Sequence, residues 1–104
     1  MAFADNLQLL PTIDHIREIQ LLDAQDQVVA YIPNQPGKAG SVRVYAALAA
    51  KYGSINTAAA EEGLALFAEH TEAARQHPGS HPNIDRLLEI IATGQTLKAQ
   101  IIDF

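Results

Sequence analysis

Two short stretches hold most of the side chains that could do chemistry. The first is Pro36-Gly37-Lys38-Ala39-Gly40-Ser41. It leads from an alternating apolar run into a helical one. Free backbone N–H groups, a hydroxyl and a lysine therefore gather at a helix start, and such a set suits an anion. Lys38, Gly40 and Ser41 are the candidate anion-binding residues. The spacing is neither GxxxxGK[ST] nor GxGxxG, so this is not a known phosphate-binding loop. The plain alternative is a glycine-bearing turn in which Ser41 caps the following helix.

The second stretch runs from Glu69 to Asp85 and holds Glu69, His70, Glu72, His77, His81 and Asp85. Imidazoles and carboxylates serve metal ligation and acid–base chemistry alike. His70 and His77 stand seven apart, about 10 Å of rise on one continuous helix, so a single ion cannot take both. His77, Ser80, His81 and Asp85 flank a Pro-Gly turn and form a candidate polar cleft. The structural alternative is that His77 completes one helix and His81 caps the next.

No complete catalytic set is visible. The serines are Ser41, Ser54 and Ser80, and none lies in a GxSxG elbow. There is no HExxH and no cysteine, so the sequence calls for no metal and no cofactor. Glu61 and Glu62 fall where carboxylates favour a helix N-terminus. This argues for a protein that is not an enzyme.

The charge balance narrows the partners. Seven Lys and Arg against twelve Asp and Glu give a net charge of -5, and the cations are scattered. Such a surface argues against nucleic-acid binding, which depends on a cluster of cations facing phosphates. The start Met-Ala-Phe-Ala-Asp-Asn-Leu lacks the basic and apolar regions of a signal peptide, and no apolar run reaches the roughly 20 residues of a membrane span. The expected location is the cytoplasm, away from membranes. Eighteen alanines add little buried area. A homo-oligomer or a protein partner is the expected way to supply more.

The elements that must position these residues follow from periodicity. Phe3, Leu7 and Leu10 give residues 2–10 the stripe of a short helix that Pro11 ends. Residues 16–22 and 28–32 alternate and form a hairpin around a polar loop, with Arg17, Ile19 and Leu21 sharing one face. A helix follows from Ser41, closed by Gly53. Residues 57–76 read as one helix of about 30 Å, with Asn56 or Thr57 as its cap. Gly63 inside it implies a close neighbouring backbone or a break. Pro82 opens a third main helix, and Gly94 ends it. Residues 96–102 alternate again, with Leu97, Ala99 and Ile101 inward; Ile102 and Phe104 are expected on the outer face.

The expected fold is a single α+β domain over residues 1–104, with a three-stranded antiparallel sheet in the order 2-1-3, three main helices and a short N-terminal helix. If the helices alternate in direction, the Gly37–Ser41 loop and the His77–Asp85 turn lie at the same end and share a cleft. The phrases Ile32-Pro33-Asn34-Gln35-Pro36-Gly37-Lys38-Ala39-Gly40-Ser41, Phe67-Ala68-Glu69-His70-Thr71-Glu72 and His77-Pro78-Gly79-Ser80-His81-Pro82-Asn83-Ile84-Asp85-Arg86-Leu87 resemble a family of small uncharacterised bacterial proteins, domain of unknown function 2322. The resemblance implies a bacterial origin and one compact domain; it supplies no activity or site residue. Two functions are therefore carried forward: a non-enzymatic interaction or self-associating domain, and a small-molecule or anion-binding protein or enzyme that uses the two loops.

Overall fold

The computed structural model describes residues 2–104. Its elements are α1 (Phe3–Gln8), β1 (Ile16–Leu22), β2 (Val28–Pro33), α2 (Ala39–Tyr52), α3 (Thr57–Phe67), α4 (Glu69–Gln76), α5 (Pro82–Thr93) and β3 (Lys98–Asp103). The strands form one antiparallel sheet in the order β2-β1-β3. The α+β reading, the strand order and the short N-terminal helix all hold.

The register shows which face the helices cover. Ile19 sits opposite Ile32 on β2 and Ile101 on β3, and Leu21 sits opposite Ala30 and Ala99. Ile19, Leu21 and Ile32 are buried in the core with Val42, Val44, Tyr45 and Leu48 of α2. Gln20 pairs with Tyr31 and Gln100 on the uncovered face. A register irregularity between Ile16 and Glu18 interrupts strict alternation. Ile16 is thereby buried and Arg17 exposed, so Arg17 does not share a face with Ile19 as simple alternation requires.

Ala59, Ala60 and Gly63 of α3 are buried, as are Ile84, Leu87 and Ile90 of α5. Gly63 permits a close approach, but of side chains rather than a backbone. A Cβ there would lie 2.7 Å from Leu87 Cδ1 and 3.0 Å from Leu48 Cδ1. Asn56 caps α3 by accepting the N–H of Ala59 at 2.8 Å. Gly53 and Gly94 close α2 and α5 with φ of 77° and 75°, the left-handed conformation that favours glycine.

Two expectations need correction. The helix over 57–76 is broken, and the break is at Ala68 rather than Gly63: Ala68 has φ 52° and ψ -119°. A non-glycine residue there is strained by about 1–3 kcal/mol. Two side chains stabilise the break by taking up carbonyls near it. Buried Thr71 donates its hydroxyl to the Leu64 carbonyl at 2.6 Å, and Asn6 donates Nδ2 to the Leu66 carbonyl at 2.9 Å. The second correction is the start of α2. Lys38 occupies the N-cap position and Ser41 lies inside the first turn, because the helix begins at Ala39.

Candidate functional site

The turn between α4 and α5 is built by its own polar groups. Ser80 donates its hydroxyl to the His77 carbonyl at 2.6 Å, and Asp85 accepts the N–H of Gly79 at 2.9 Å. Ser80, His77 and Asp85 thus shape the turn, and His77 and Ser80 are exposed. The turn delivers His81 to the N-cap position of α5, where its side chain makes no capping bond.

The break at Ala68 redirects the chain so that α4 presents His70 toward α1. Helix α1 is too short to be stable alone and is held by docking. The N–H of Phe3 donates to Glu69 Oε1 at 2.8 Å. That bond is the largest influence holding the Glu69 carboxyl below its ordinary range. Phe3 stacks on Phe67 with centroids 5.4 Å apart and meets the edge of His70 at 5.0 Å. Gly40 makes room for it, since a Cβ there would lie 2.9 Å from Phe3 Cζ. The His70 and His81 rings lie 5.8 Å apart. Phe67, Phe3, His70 and His81 therefore form a continuous arc of rings.

This arc borders a pocket of about 370 Å³, lined by Phe3, Leu7, Gly37, Gly40, Ser41, Phe67, His70, His81, Asn83 and Ile84. The volume lies in the lower part of the range for small-molecule sites. Gly37, Gly40 and Ser41 come from the first sequence stretch and His81 from the second. Lys38 is exposed and does not line the pocket, and neither do His77, Ser80 or Asp85. Phe3, Phe67, His70 and Asn83 were not among the residues that the sequence singled out for the cleft. His70 stood in the histidine-bearing stretch, but its partner proves to be His81, across the turn, and not His77.

The polar part of the lining has unspent hydrogen-bonding capacity. Among the described residues, the Ser41 hydroxyl and the His70 and His81 ring nitrogens carry no hydrogen bond, nor do the N–H groups of Gly40 and Ser41. Asn83 is oriented from behind. Arg86 donates to Asn83 Oδ1 at 2.9 Å, which leaves the Nδ2 donor unspent. The Asn83 carbonyl accepts the Tyr45 hydroxyl, and Arg86 also donates to the Tyr45 oxygen at 3.2 Å. Burial pushes the Tyr45 phenol up to about 12, with Arg86 acting in the opposite direction. The Tyr45 phenol is therefore a fixed neutral support beneath the pocket. No Asp, Glu, Lys or Arg lines the pocket, in a protein of net charge -5.

A second, smaller pocket of about 170 Å³ lies between the 11–15 segment, the alanines Ala46, Ala47 and Ala50 of α2, and Ile101. Arg43 fastens that segment by donating to the carbonyls of Leu10 and Pro11 at 2.9 and 3.1 Å. Among the described residues no group of three or more His, Cys, Asp or Glu is placed to hold a metal ion, and no helix is long and apolar enough to cross a membrane.

Residues 3–101 match the family of uncharacterised proteins conserved in bacteria, domain of unknown function 2322. The chain belongs to this family. No curated protein and no solved structure matches it. The family description names no activity, so a functional reading rests on the pocket and the surface.

Proposed function

We propose that the protein binds a small organic molecule in the pocket between α1, α2, α4 and α5. The observation that supports this is the combination of an aromatic wall with unspent hydrogen-bond donors in one concavity. Among the described residues no buried side-chain nitrogen or oxygen lacks a partner; the open donors here are the half-exposed ones that face the concavity, and beside an aromatic wall they suit a ligand that supplies acceptors. Lys38, exposed at the N-cap of α2, adds positive charge outside the pocket.

The test is a chemically diverse fragment screen by thermal denaturation, run on the wild type and on Ser41→Leu, which removes a hydroxyl from the lining and narrows the pocket at the start of α2. A true ligand stabilises the wild type by about 1.4 kcal/mol at ten times its Kd and leaves Ser41→Leu unmoved. If no fragment separates the two proteins, the reading is wrong.

A second reading, self-association, is favoured by a different observation. Val28, Val29 and Tyr31 are 52%, 53% and 65% exposed on or beside the uncovered sheet face. The alanine-lined groove at Ile101 adds a further apolar surface. Sedimentation at micromolar concentration tests this, and a clean monomer rules it out.

A further inference from the structure

We propose that the pocket takes a planar aromatic carboxylate, with the ring against the Phe3–His70 arc and the carboxylate on the donors of Ser41, His81 and Asn83. This rests on the reading of the pocket as a ligand site and narrows it to one class. Each part of the ligand follows from something in the lining. The rings of Phe67, Phe3, His70 and His81 succeed one another at centroid separations of 5.4, 5.0 and 5.8 Å. Flat apolar groups pack well on such a surface, offset or edge-on.

The charge is set by what the polar groups can offer. A cation would meet no carboxylate, because none lines the pocket. A neutral amide would find acceptors only in the Ser41 hydroxyl and the imidazole nitrogens, because the side-chain acceptor of Asn83 is taken by Arg86 at 2.9 Å. The free N–H groups of Gly40 and Ser41 at the start of α2 are donors only, and there the helix dipole favours an anion over a neutral group. A phosphate is best held by guanidinium or ammonium groups, and no Arg or Lys lines the pocket. A carboxylate needs only a few donors for its two oxygens. Hydroxyl, amide and imidazole N–H groups supply them, and imidazole adds charge when it is protonated.

The experiment compares three probes of one shape: benzoate, benzamide and phenyl phosphate. Each is titrated into the ¹⁵N-labelled full chain while the amide signals of Gly40, Ser41, His70, His81 and Asn83 are followed. The discriminating variant is Asn83→Asp. It keeps an oxygen for Arg86 and places a carboxylate in the first turn of α5, where the helix dipole favours it, so folding is preserved. It also replaces the donor with a negative charge.

Benzoate is expected to shift these signals with an affinity at least about tenfold above that of the other two, and to lose at least as much in Asn83→Asp while benzamide is unaffected. Benzamide or phenyl phosphate binding as tightly as benzoate overturns the class and leaves the pocket reading standing. Equal benzoate binding by the wild type and Asn83→Asp also overturns it. If no probe moves these signals at millimolar concentration, the carboxylate proposal fails; the fragment screen then decides the pocket reading separately.

Discussion

The uncovered face of the sheet and the pocket at the start of α2 both leave apolar side chains at the surface, yet they differ in what surrounds those side chains. On the sheet, Tyr31 stands across from Gln20, which donates to Glu18, with Gln100 on the other side. The apolar groups are interspersed with polar ones that solvent or neighbours satisfy. In the pocket the rings follow one another in sequence, and the Ser41 hydroxyl, the His70 and His81 ring nitrogens and the Asn83 Nδ2 beside them have no partner among the described residues. Exposed apolar area is common on folded proteins and marks little by itself. What separates the two regions is hydrogen-bonding capacity left unspent inside a concavity.

The largest effect is expected at Tyr45, the buried support of the pocket. Its phenol is raised from an ordinary 10.0 to about 12 by burial. A raised folded value favours the protonated form in the folded state. The corresponding stability is therefore fully present below about pH 10 and is lost as pH climbs through about 12. A shift of that size is on the order of 3 kcal/mol. Denaturant unfolding at successive pH values should show this loss in the wild type and not in Tyr45→Phe. Tyr52, whose phenol is held up by the nearby Glu62 carboxylate, is present in both proteins and cancels. At neutral pH the Phe variant should cost about 1 kcal/mol, the typical value of a lost hydrogen bond. Parallel alkaline slopes in the two proteins would contradict the account.

Next is Phe3→Ala, which removes the stacking partner of Phe67 and the filler of the space above Gly40. Full burial would make the loss about 3–5 kcal/mol. Phe3 is half-buried, so roughly 2 kcal/mol is expected on the same basis. The loss should be local: amides of α1 exchange faster, and those of β1 and β3 keep their protection. If the sheet amides lose protection equally, α1 is part of the main cooperative unit and the contrast between the regions weakens.

The sheet was readable because its cues are local. Ile19 and Leu21 alternate with Gln20, and Pro33 stops β2. The strand order rests on counting three helix passes, and it holds although the second of them is two helices, α3 and α4. Gly53 and Gly94 marked the ends of α2 and α5 in the same way. The break at Ala68 was not readable, because alanine is the best helix former and nothing at that position signals a left-handed φ. Its causes are distant in the chain: Asn6 on the Leu66 carbonyl, and Phe67 turned toward Phe3. The pocket inherits that difficulty. Gly40, Ser41 and His81 were visible as chemistry-bearing residues, whereas the arc joining them depends on α1 packing across sixty residues of sequence. Thr71 carried a partial signal, since a threonine within a helical stripe can bond a carbonyl in the preceding turn.

A smaller and more local effect is expected at Glu69. Its carboxyl is lowered chiefly by the Phe3 N–H. A lowered folded value means that its contribution is present above the ordinary glutamate range and is lost as pH falls through the lower, folded value. The protection of the α1 amides, taken against the intrinsic exchange rate at each pH, should therefore fall on acidification. Glu69→Gln should remove most of that pH response, because its amide oxygen still accepts the bond but does not titrate in this range. An unchanged acid response in the Gln variant would show that it arises elsewhere than at the Phe3–Glu69 bond.

The smallest effect on stability is expected at Tyr31→Ser, and its value lies in being small. Tyr31 is 65% exposed on an edge strand, opposite Gln20. Substitutions at such positions usually change stability by no more than about 0.5 kcal/mol. Benzoate binding should also be unchanged, since the ring lies on the sheet face that the helices leave open. Sedimentation then asks what else the face does. If the wild type self-associates through this face and Tyr31→Ser does not, the sheet is an interaction surface distinct from the pocket. If both proteins are monomers of equal stability, the face is solvated. If stability falls by several kcal/mol, Tyr31 is packed against something that its exposure does not account for, and the contrast between an open sheet and a built pocket fails.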